Sequence, residues 1–287
     1  MSKLKVFSMF TGIGGFEEGF KKAGIDIELV GYSEIEKNSC MILKKQYPTV
    51  RNYGDATKIK ETEVPDMDVI CAGFPCQAFS MSGKRMGFED TRGTLFYDIA
   101  RIIKSKKPKI LFLENVEGLL NHEEGRTFAA IISTLDELGY DAEWQLCYSY
   151  YAKIPQNRPR VYIIGHKRGE SQNWVFPLEQ ESKGTIRVVQ NPKSKLESAG
   201  RVWHSSGIAP TLTRTGAQDI LIGDWNRTIT IHEGERLQGF PDDWTKYGID
   251  ANGNQVEINL AERFARIGNA VTVDMIKKIV ISLLQKQ

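Results

Sequence analysis

The residues with the most evident chemical potential lie at 74 to 80, where the sequence reads FPCQAFS. Cys76 stands between Pro75 and Gln77, directly after an apolar run at 68 to 73 that predicts a buried strand ending in a loop. A thiol at the tip of a strand is well placed to act as a nucleophile, because its thiolate fraction reacts readily even at neutral pH. A free cysteine is equally often a small buried hydrophobic residue, so Cys76 taken alone leaves both interpretations open.

A glycine-rich turn, FTGIGG at 10 to 15, joins a predicted strand to a predicted helix. Such glycines let a ligand approach the backbone, and the free amide groups of the helix N-terminus can bind it. Glu34 ends the next predicted strand, where a carboxylate can bind the hydroxyl groups of a ribose. Asp55 could accept a hydrogen bond from an adenine amino group. A solvated carboxylate at 34 and a turn-forming aspartate at 55 are the alternatives.

Further charged side chains follow two later strands. Glu114 begins the triplet ENV at a strand end, where its carboxyl could act as the acid or hydrogen-bond partner of a ring attacked by the thiol. The run QNRPR at 156 to 160 places Arg158 and Arg160 two residues apart. On an extended segment they point the same way, as a pair that grips an anion or a polarised oxygen requires. A solvated glutamate and an arginine-rich edge strand are the alternatives.

The elements that must position these residues alternate between strands and helices. Strands are predicted at 5–10, 27–32, 67–72, 109–113, 142–151 and 161–165. Helices are predicted from 16 to 23, at 35–46, 95–103 and 128–138, and after the run at 268–275. This alternation predicts an α/β, doubly wound, Rossmann-like domain with its functional residues at the carboxyl ends of the strands.

The second half of the chain has a different character. Residues 167 to 200 are polar, and residues 201 to 261 carry only short apolar runs. We therefore expect a catalytic domain formed by residues 1–166 together with 262–287. A second, smaller domain, reduced in size, is expected at 167–261.

Composition excludes several classes of protein. The 287 residues are 41% hydrophobic and 26% charged, which is typical of a soluble globular protein. No apolar stretch approaches the roughly 20 residues of a membrane span, and no signal peptide is evident, so we expect a cytoplasmic protein with no membrane partner. The four cysteines and four histidines show no disulfide or metal-ligand spacing. Because the net charge is only +2, any surface for a nucleic acid has to be local.

In their order along the chain, the motifs resemble those of bacterial cytosine-5 DNA methyltransferases of the restriction–modification type. The resemblance covers residues 4–166 and 201–287 and is close at 73–101, which resembles the catalytic loop of that family. The combination of PCQ, ENV and QxRxR in this order is highly specific. The matching blocks are FTGIGG, YSE, GDAT, GFPCQAFS, LFLENV, QNRPR, GIAPTLTR at 207–214 and GNAV at 268–271.

The resemblance implies methyl transfer from S-adenosylmethionine to carbon 5 of a cytosine flipped out of double-stranded DNA. Cys76 would add to ring carbon 6, Glu114 would protonate or bind ring nitrogen 3, Arg160 would hold the 2-oxo group and Arg158 would support the pocket. The methyl-donor site would comprise Phe10, Gly12, Gly14, Glu34, Asp55, Leu95 and Asn269. Contacts with the DNA substrate are expected from Pro75, Gln77, Ser80, Ser82, Lys84, Arg85, Arg92, Gln156, Arg201 and Arg214.

The chain departs from the family pattern at three places. Ile35 replaces an aromatic residue that often stacks on adenine, and Lys153 replaces a glycine before Ile-Pro-Gln. Only residues 167 to 200 separate QNRPR from GIAPTLTR, fewer than the roughly 40 residues of an independent domain. A recognition region this short predicts a short or degenerate target and salt-dependent DNA binding.

Two other functions stay open at this point. One is a cytosine-5 methyltransferase of the related family that modifies tRNA, which also uses PCQ and ENV with a small recognition region. The QNR triplet argues mildly against it. The other is a non-enzymatic subunit that binds DNA or S-adenosylmethionine. The presence of Cys76, Glu114 and Arg160 together argues against it, because such a subunit needs no complete catalytic set. We expect a monomer, with a separate recognition subunit or a cognate restriction enzyme as possible partners.

Overall fold

The fold is described by a computed structural model for residues 3–75, 95–171, 173–178, 188–190, 201–203, 208–214, 221–222 and 227–284. Several predicted site residues lie outside the described residues, and their roles stay predictions: Cys76, Gln77, Ser80, Ser82, Lys84, Arg85 and Arg92. Arg201 is described only as part of a strand.

One six-stranded sheet organises the first half of the chain, in the order β2-β1-β3-β4-β7-β5. Its strands are β1 (Leu4–Met9), β2 (Ile27–Ser33), β3 (Val69–Gly73), β4 (Ile110–Val116), β5 (Tyr140–Tyr148) and β7 (Pro159–Lys167). Strands β1 to β4 are parallel, and β7 runs antiparallel to both of its neighbours. The central strands are buried on both faces, which explains their nearly continuous apolar sequence.

Helices cover both faces of this sheet. Apolar residues of α1 (Gly15–Lys22) and α7 (Val273–Leu284) join the core on one face, and those of α3 (Leu95–Lys106) and α4 (Arg126–Glu137) join the core on the other. A side chain at Gly19 would place its Cβ only 2.4 Å from Ile276, so glycine permits the close packing of α1 on α7. The α/β, doubly wound prediction is confirmed in this arrangement.

Two predicted boundaries are wrong for identifiable local reasons. The helix predicted from 35 begins at Lys37 as α2 (Lys37–Gln46), because the Glu36 side chain accepts a hydrogen bond from the Ser39 N–H at 2.8 Å and caps it. The strand predicted to 151 ends at Tyr148, where a 3₁₀ turn at Ser149–Ala152 follows. That turn closes at Lys153 with φ 62°, a left-handed conformation that glycine adopts without strain.

The remaining elements are short. β6 (Gln156–Asn157) pairs in parallel with β10 (Ala209–Pro210), and β13 (Tyr247–Ile249) forms a hairpin with β14 (Gln255–Glu257). A four-stranded sheet has the order β12-β11-β9-β8. Its strands are β8 (Val188–Gln190), β9 (Arg201–Trp203), β11 (Leu221–Ile222) and β12 (Arg227–Thr228), and two further helices are α5 (Ile231–Leu237) and α6 (Leu260–Asn269).

Parts of the predicted second domain pack directly on the first. Trp244 donates its indole N–H to the Ile13 carbonyl at 2.8 Å and shares a buried cluster with Ile13 and Ile42. Val175 and Leu178 are buried against the main sheet, where their N–H groups bind side chains of β5. The division at residues 167–261 stays a prediction. No helix in the described parts of the chain combines the length and apolar character needed to cross a membrane.

Candidate active site

A glutamate and an arginine meet at the carboxyl end of β4. Arg160 Nε lies 3.0 Å from Glu114 Oε1, and the side chains are only 13% and 10% exposed. The pair forms because β4 and β7 are antiparallel neighbours, with Arg160 opposite Val116 and Glu114 opposite Tyr162. Arg160 also donates through Nη1 to the Pro159 carbonyl at 2.7 Å. A carboxylate and a guanidinium are thus held side by side at this edge of the sheet, and such a pair can form charge-assisted hydrogen bonds to a polar ring.

The end of β3 lies directly beside this pair. Gly73 pairs with Glu114 across the sheet, and a Cβ at Gly73 would be 3.4 Å from Glu114 Oε2. Asn115, which is almost fully buried, donates its side-chain amide to the Phe74 carbonyl at 2.8 Å. Asn115 therefore fixes the chain one residue before Pro75, which is exposed and directly precedes Cys76 in the sequence. In the sequence, the ENV triplet is the only signal for this role of Asn115.

Arg158 does not share an anion with Arg160, contrary to the expectation of a gripping pair. The residue is 2% exposed, and its guanidinium donates to the carbonyls of Leu212 at 2.7 Å, Gly268 at 3.2 Å and Ala270 at 2.8 Å. Burial, and secondarily the nearby Arg160 charge, lowers the pKa of Arg158 to about 9, so it stays charged at neutral pH. Buried carbonyls need donors, and Arg158 supplies three of them with one side chain.

Gln156 was expected to contact DNA, but the structure places it in the interior. Its side chain is fully buried among the described residues and donates to the Leu237 carbonyl at 3.1 Å. The neighbouring backbone pairs with Ala209 and Pro210, and Thr211 Oγ1 donates to the Asn157 carbonyl at 2.6 Å. Residues 209–211 of the GIAPTLTR block therefore lie along residues 156–157, and the last residue of the block, Arg214, is exposed.

The glycine-rich turn and Glu34 are joined by a direct hydrogen bond. The Gly12 N–H donates to Glu34 Oε2 at 2.7 Å, and Oε1 accepts from the N–H groups of Ile35 and Glu36 at 2.9 and 2.8 Å. Burial raises the pKa of Glu34, and these backbone hydrogen bonds oppose the rise. The carboxylate is therefore held in one orientation at the carboxyl ends of β1 and β2.

The glycines of the turn have different surroundings. A Cβ at Gly12, where φ is 61°, would meet nothing within 4 Å, which leaves room for a ligand against the backbone. A Cβ at Gly14, where φ is 88°, would lie 3.3 Å from Tyr47 Cε2. Gly14 is the N-cap of α1, so the left-handed turn favours glycine there, and its place in the donor site stays a prediction. Phe10 also adopts a positive φ, of 54°.

The other predicted donor residues lie on three separate elements. Asp55 caps a 3₁₀ turn, since its Oδ1 accepts from Thr57 N at 3.0 Å and from Thr57 Oγ1 at 2.8 Å. These hydrogen bonds lower the pKa of Asp55. Asp55 therefore forms a turn, as the alternative interpretation of the sequence expected. A contact between Asp55 and adenine stays a prediction. Leu95 begins α3, half-buried, and Asn269 ends α6, exposed. Ile35 is 72% exposed beside Glu34.

Three titratable side chains that the sequence pattern did not group lie close together. His232, Glu235 and Asp243 present atoms within 4.8 Å of one another. However, Glu235 Oε1 already accepts from Thr245 and Arg263, at 2.6 and 3.1 Å for the side chains, and Oε2 accepts from the Asp243 N–H. A carboxylate bound to this many donors belongs to a buried ion-pair network, not to a metal centre.

Comparison with known proteins gives a consistent assignment. The family model described as C-5 cytosine-specific DNA methylase matches residues 4–205 and 204–285. The type II methyltransferase M1.ScrFI of Lactococcus lactis subsp. cremoris is 34% identical over 99% of this chain and 79% of its own length. M.NgoBV of Neisseria gonorrhoeae is 47% identical over 58% of this chain, which spans only 42% of that relative.

A solved structure shares the fold at low sequence identity. The S. pombe Dnmt2 methyltransferase superposes with a TM-score of 0.73 at 17% identity, and the match covers 99% of both chains. This likeness confirms the α/β architecture alone.

Proposed function

Since the chain belongs to the C-5 cytosine-specific DNA methylase family, we propose that it methylates carbon 5 of a cytosine flipped out of double-stranded DNA. The observation that carries the proposal is the Glu114–Arg160 pair at the carboxyl end of β4, beside the strand that leads to Cys76. The type II methyltransferases among its relatives support the same reaction class.

The proposed chemistry begins with the Cys76 thiolate. It forms a bond to ring carbon 6, and the electron pair released from the ring double bond makes carbon 5 nucleophilic. After carbon 5 gains the methyl group and loses its proton, the carbon–sulfur bond breaks and the thiolate leaves.

Glu114 and Arg160 would bind the ring during these steps. Glu114 is placed to bind ring nitrogen 3 and the exocyclic amino group, where charge develops in the transition state. Arg160 uses only part of its donor capacity on Glu114 and Pro159, so further N–H groups remain to bind the 2-oxo group. Arg158 would support the site without contacting the ring, because it holds the segments at 212 and 268–270 against β6.

The donor site fits S-adenosylmethionine, which would supply the methyl group. The open space at Gly12 admits a ligand to the backbone, and the oriented Glu34 carboxylate suits the hydroxyl groups of a ribose. Ile35 offers an exposed apolar side chain for the adenine ring. Phe10, Asp55, Leu95 and Asn269 are proposed to complete the site.

DNA recognition is proposed to depend on the short region after residue 166, with Arg214 as an exposed candidate contact. We expect a target of about two to four base pairs, because each base-reading contact discriminates by about 1–3 kcal/mol and a short segment offers few of them. A partner chain that supplies the reader is the competing arrangement, in which case this chain alone would be nearly inactive.

Transfer of labelled methyl groups from S-adenosylmethionine tests the proposal. The purified chain is expected to label duplex DNA but not tRNA, and bisulfite sequencing is expected to locate the label at cytosine. Labelling of tRNA in preference to duplex DNA would overturn the proposal in favour of the RNA-modifying alternative. No labelling of either substrate, with donor binding intact, would favour the non-enzymatic one.

A further inference from the structure

The placement of Glu34 depends on a short stretch of backbone just beyond the main sheet. The register between β1 and β2 ends at Ser33, so the sheet's ladder of hydrogen bonds does not reach Glu34. Because the Glu34 carboxylate is bound by the N–H groups of Gly12, Ile35 and Glu36, it moves with this backbone. Something other than the sheet has to hold the backbone at 34 in place.

The side chain of Asn52 binds both backbone groups of Glu34. Asn52 Oδ1 accepts the Glu34 N–H at 3.2 Å, and Nδ2 donates to the Glu34 carbonyl at 3.0 Å. Oδ1 also accepts the N–H of Gly54 at 2.9 Å. The amide oxygen accepts two of these hydrogen bonds and the amide nitrogen donates the third, so a single orientation of the side chain satisfies all three. Asn52 thus connects Glu34 to the residue directly before Asp55.

Cys40 completes this arrangement from α2. Its thiol donates to the Glu34 carbonyl at 3.2 Å, and its sulfur accepts from Asn52 Nδ2 at 3.4 Å. Burial, and then the Glu34 charge, raises the pKa of Cys40 to about 11, so the thiol keeps its proton at neutral pH and remains a donor. The Glu34 carbonyl therefore receives two side-chain donors.

The segment before Asp55 is held to β2 by two further hydrogen bonds. Ser33 Oγ donates to the Gly54 carbonyl at 2.6 Å, and the Tyr53 N–H donates to the Tyr32 carbonyl at 2.7 Å. With Asn52, these contacts hold the segment before Asp55 at a fixed distance from the end of β2. The two acids proposed to bind the donor are consequently placed relative to each other by side chains that touch neither carboxylate.

We propose that Asn52 and Cys40 are positioning residues of the methyl-donor site. They hold the backbone of Glu34 and, through Gly54, set it relative to the Asp55 segment, so that the ribose and adenine contacts can form together. This inference rests on the proposed function, since it takes S-adenosylmethionine to be the ligand of Glu34.

Calorimetric titration with S-adenosylmethionine tests the inference on folded variants. Asn52→Ala is expected to raise Kd about tenfold, because two bonds to Glu34 and one to Gly54 are lost. The KM for S-adenosylmethionine should rise in parallel, whereas kcat at saturating donor should change far less. Cys40→Ala is expected to raise Kd about threefold, and Cys40→Ser, which keeps a donor and an acceptor, should restore wild-type affinity.

Two comparisons separate this role from general loss of structure. Asn173→Ala removes one side-chain hydrogen bond, to the Leu283 carbonyl, far along the chain from the donor site and should leave Kd unchanged. Asn52→Ala should weaken S-adenosylmethionine binding less in a Glu34→Ala background than in the wild-type background. The carboxylate that Asn52 positions is already absent in that background.

The outcomes distinguish this inference from the proposed function. If Glu34→Ala weakens binding at least tenfold while Asn52→Ala and Cys40→Ala stay within twofold of wild type, the positioning role is wrong and the donor site stands. If Glu34→Ala itself binds like wild type, the donor site is wrong and the inference falls with it. Should Asn52→Ala fail to fold, the Cys40→Ala and Cys40→Ser pair decides alone.

Discussion

The carboxyl group of Glu17 in α1 should make stability depend on pH. It is 3% exposed, and neither of its oxygens has a hydrogen-bond partner among the described residues. Burial raises its pKa from 4.5 to about 7; the nearby Ser8 hydroxyl opposes part of this rise without forming a hydrogen bond of good geometry. Glu17→Gln removes the titration while keeping the shape of the side chain.

The magnitude follows from the two pKa values. The unfolded chain releases the proton near pH 4.5 and the folded chain holds it to about pH 7, so the folded state binds more protons in between. The free energy of unfolding therefore falls as pH rises through this window and levels off above it. A gap of about 2.5 pH units, at about 1.4 kcal/mol each, corresponds to about 3.5 kcal/mol.

Urea unfolding of wild type and Glu17→Gln at pH 5 and pH 8, followed by tryptophan fluorescence, measures the effect. The glutamine amide is itself unpartnered, which lowers stability equally at both pH values. The stability difference between variant and wild type should nevertheless shift in favour of the variant by about 2–3 kcal/mol from pH 5 to pH 8. Glu18→Gln is the matched control, because it replaces the neighbouring buried carboxylate, which pairs with Lys21 at 3.2 Å. A difference for Glu17→Gln that is the same at both pH values would refute the reasoning.

Three further predictions concern the site and its supports. Glu114→Gln should slow methyl transfer about a hundredfold in single-turnover assays while DNA affinity changes little; a rate within a few-fold of wild type would contradict its role. Arg158→Met should lower the free energy of unfolding by roughly 3 kcal/mol or more in urea titrations, because three carbonyls lose their donor; a loss below about 1 kcal/mol would show that they find other partners. Lys153→Gly should raise the free energy of unfolding by roughly 0.5–1 kcal/mol, because glycine adopts the positive φ without strain. A decrease would show that contacts of the lysine side chain matter more.

Much of the main sheet could be predicted from the sequence because its central strands are buried on both faces. A continuous apolar run such as that of β3 is a local signal, and the alternation with amphipathic helices fixes the class of fold. The end of β5 could not be read in this way. Tyr148, Tyr150 and Tyr151 have high strand propensity, but they pack on one another across the 3₁₀ turn that follows the strand.

The predicted site residues differ in whether their contacts come from nearby or from distant parts of the sequence. Glu114 lies near the carboxyl end of β4 and Glu34 directly follows β2, so the order of strands alone predicts the edge of the sheet at which each residue lies. Arg158 and Gln156 lie within the same motif as Arg160, yet their partners come from residues 212, 237, 268 and 270. No spacing rule within QNRPR can indicate that these two side chains turn inward to bind distant carbonyls.

Formation of a covalent complex with duplex DNA containing 5-fluorocytosine tests the central claim most directly. The fluorine on carbon 5 cannot leave as a proton does, so after methyl transfer the bond between Cys76 and carbon 6 should persist. With S-adenosylmethionine present, wild type is expected to give a denaturation-resistant adduct whose mass is that of protein, DNA and one methyl group. Cys76→Ala should give none, while still binding the donor. An enzyme that methylates ordinary DNA but forms no adduct, or Cys76→Ala that still turns over, would contradict the account.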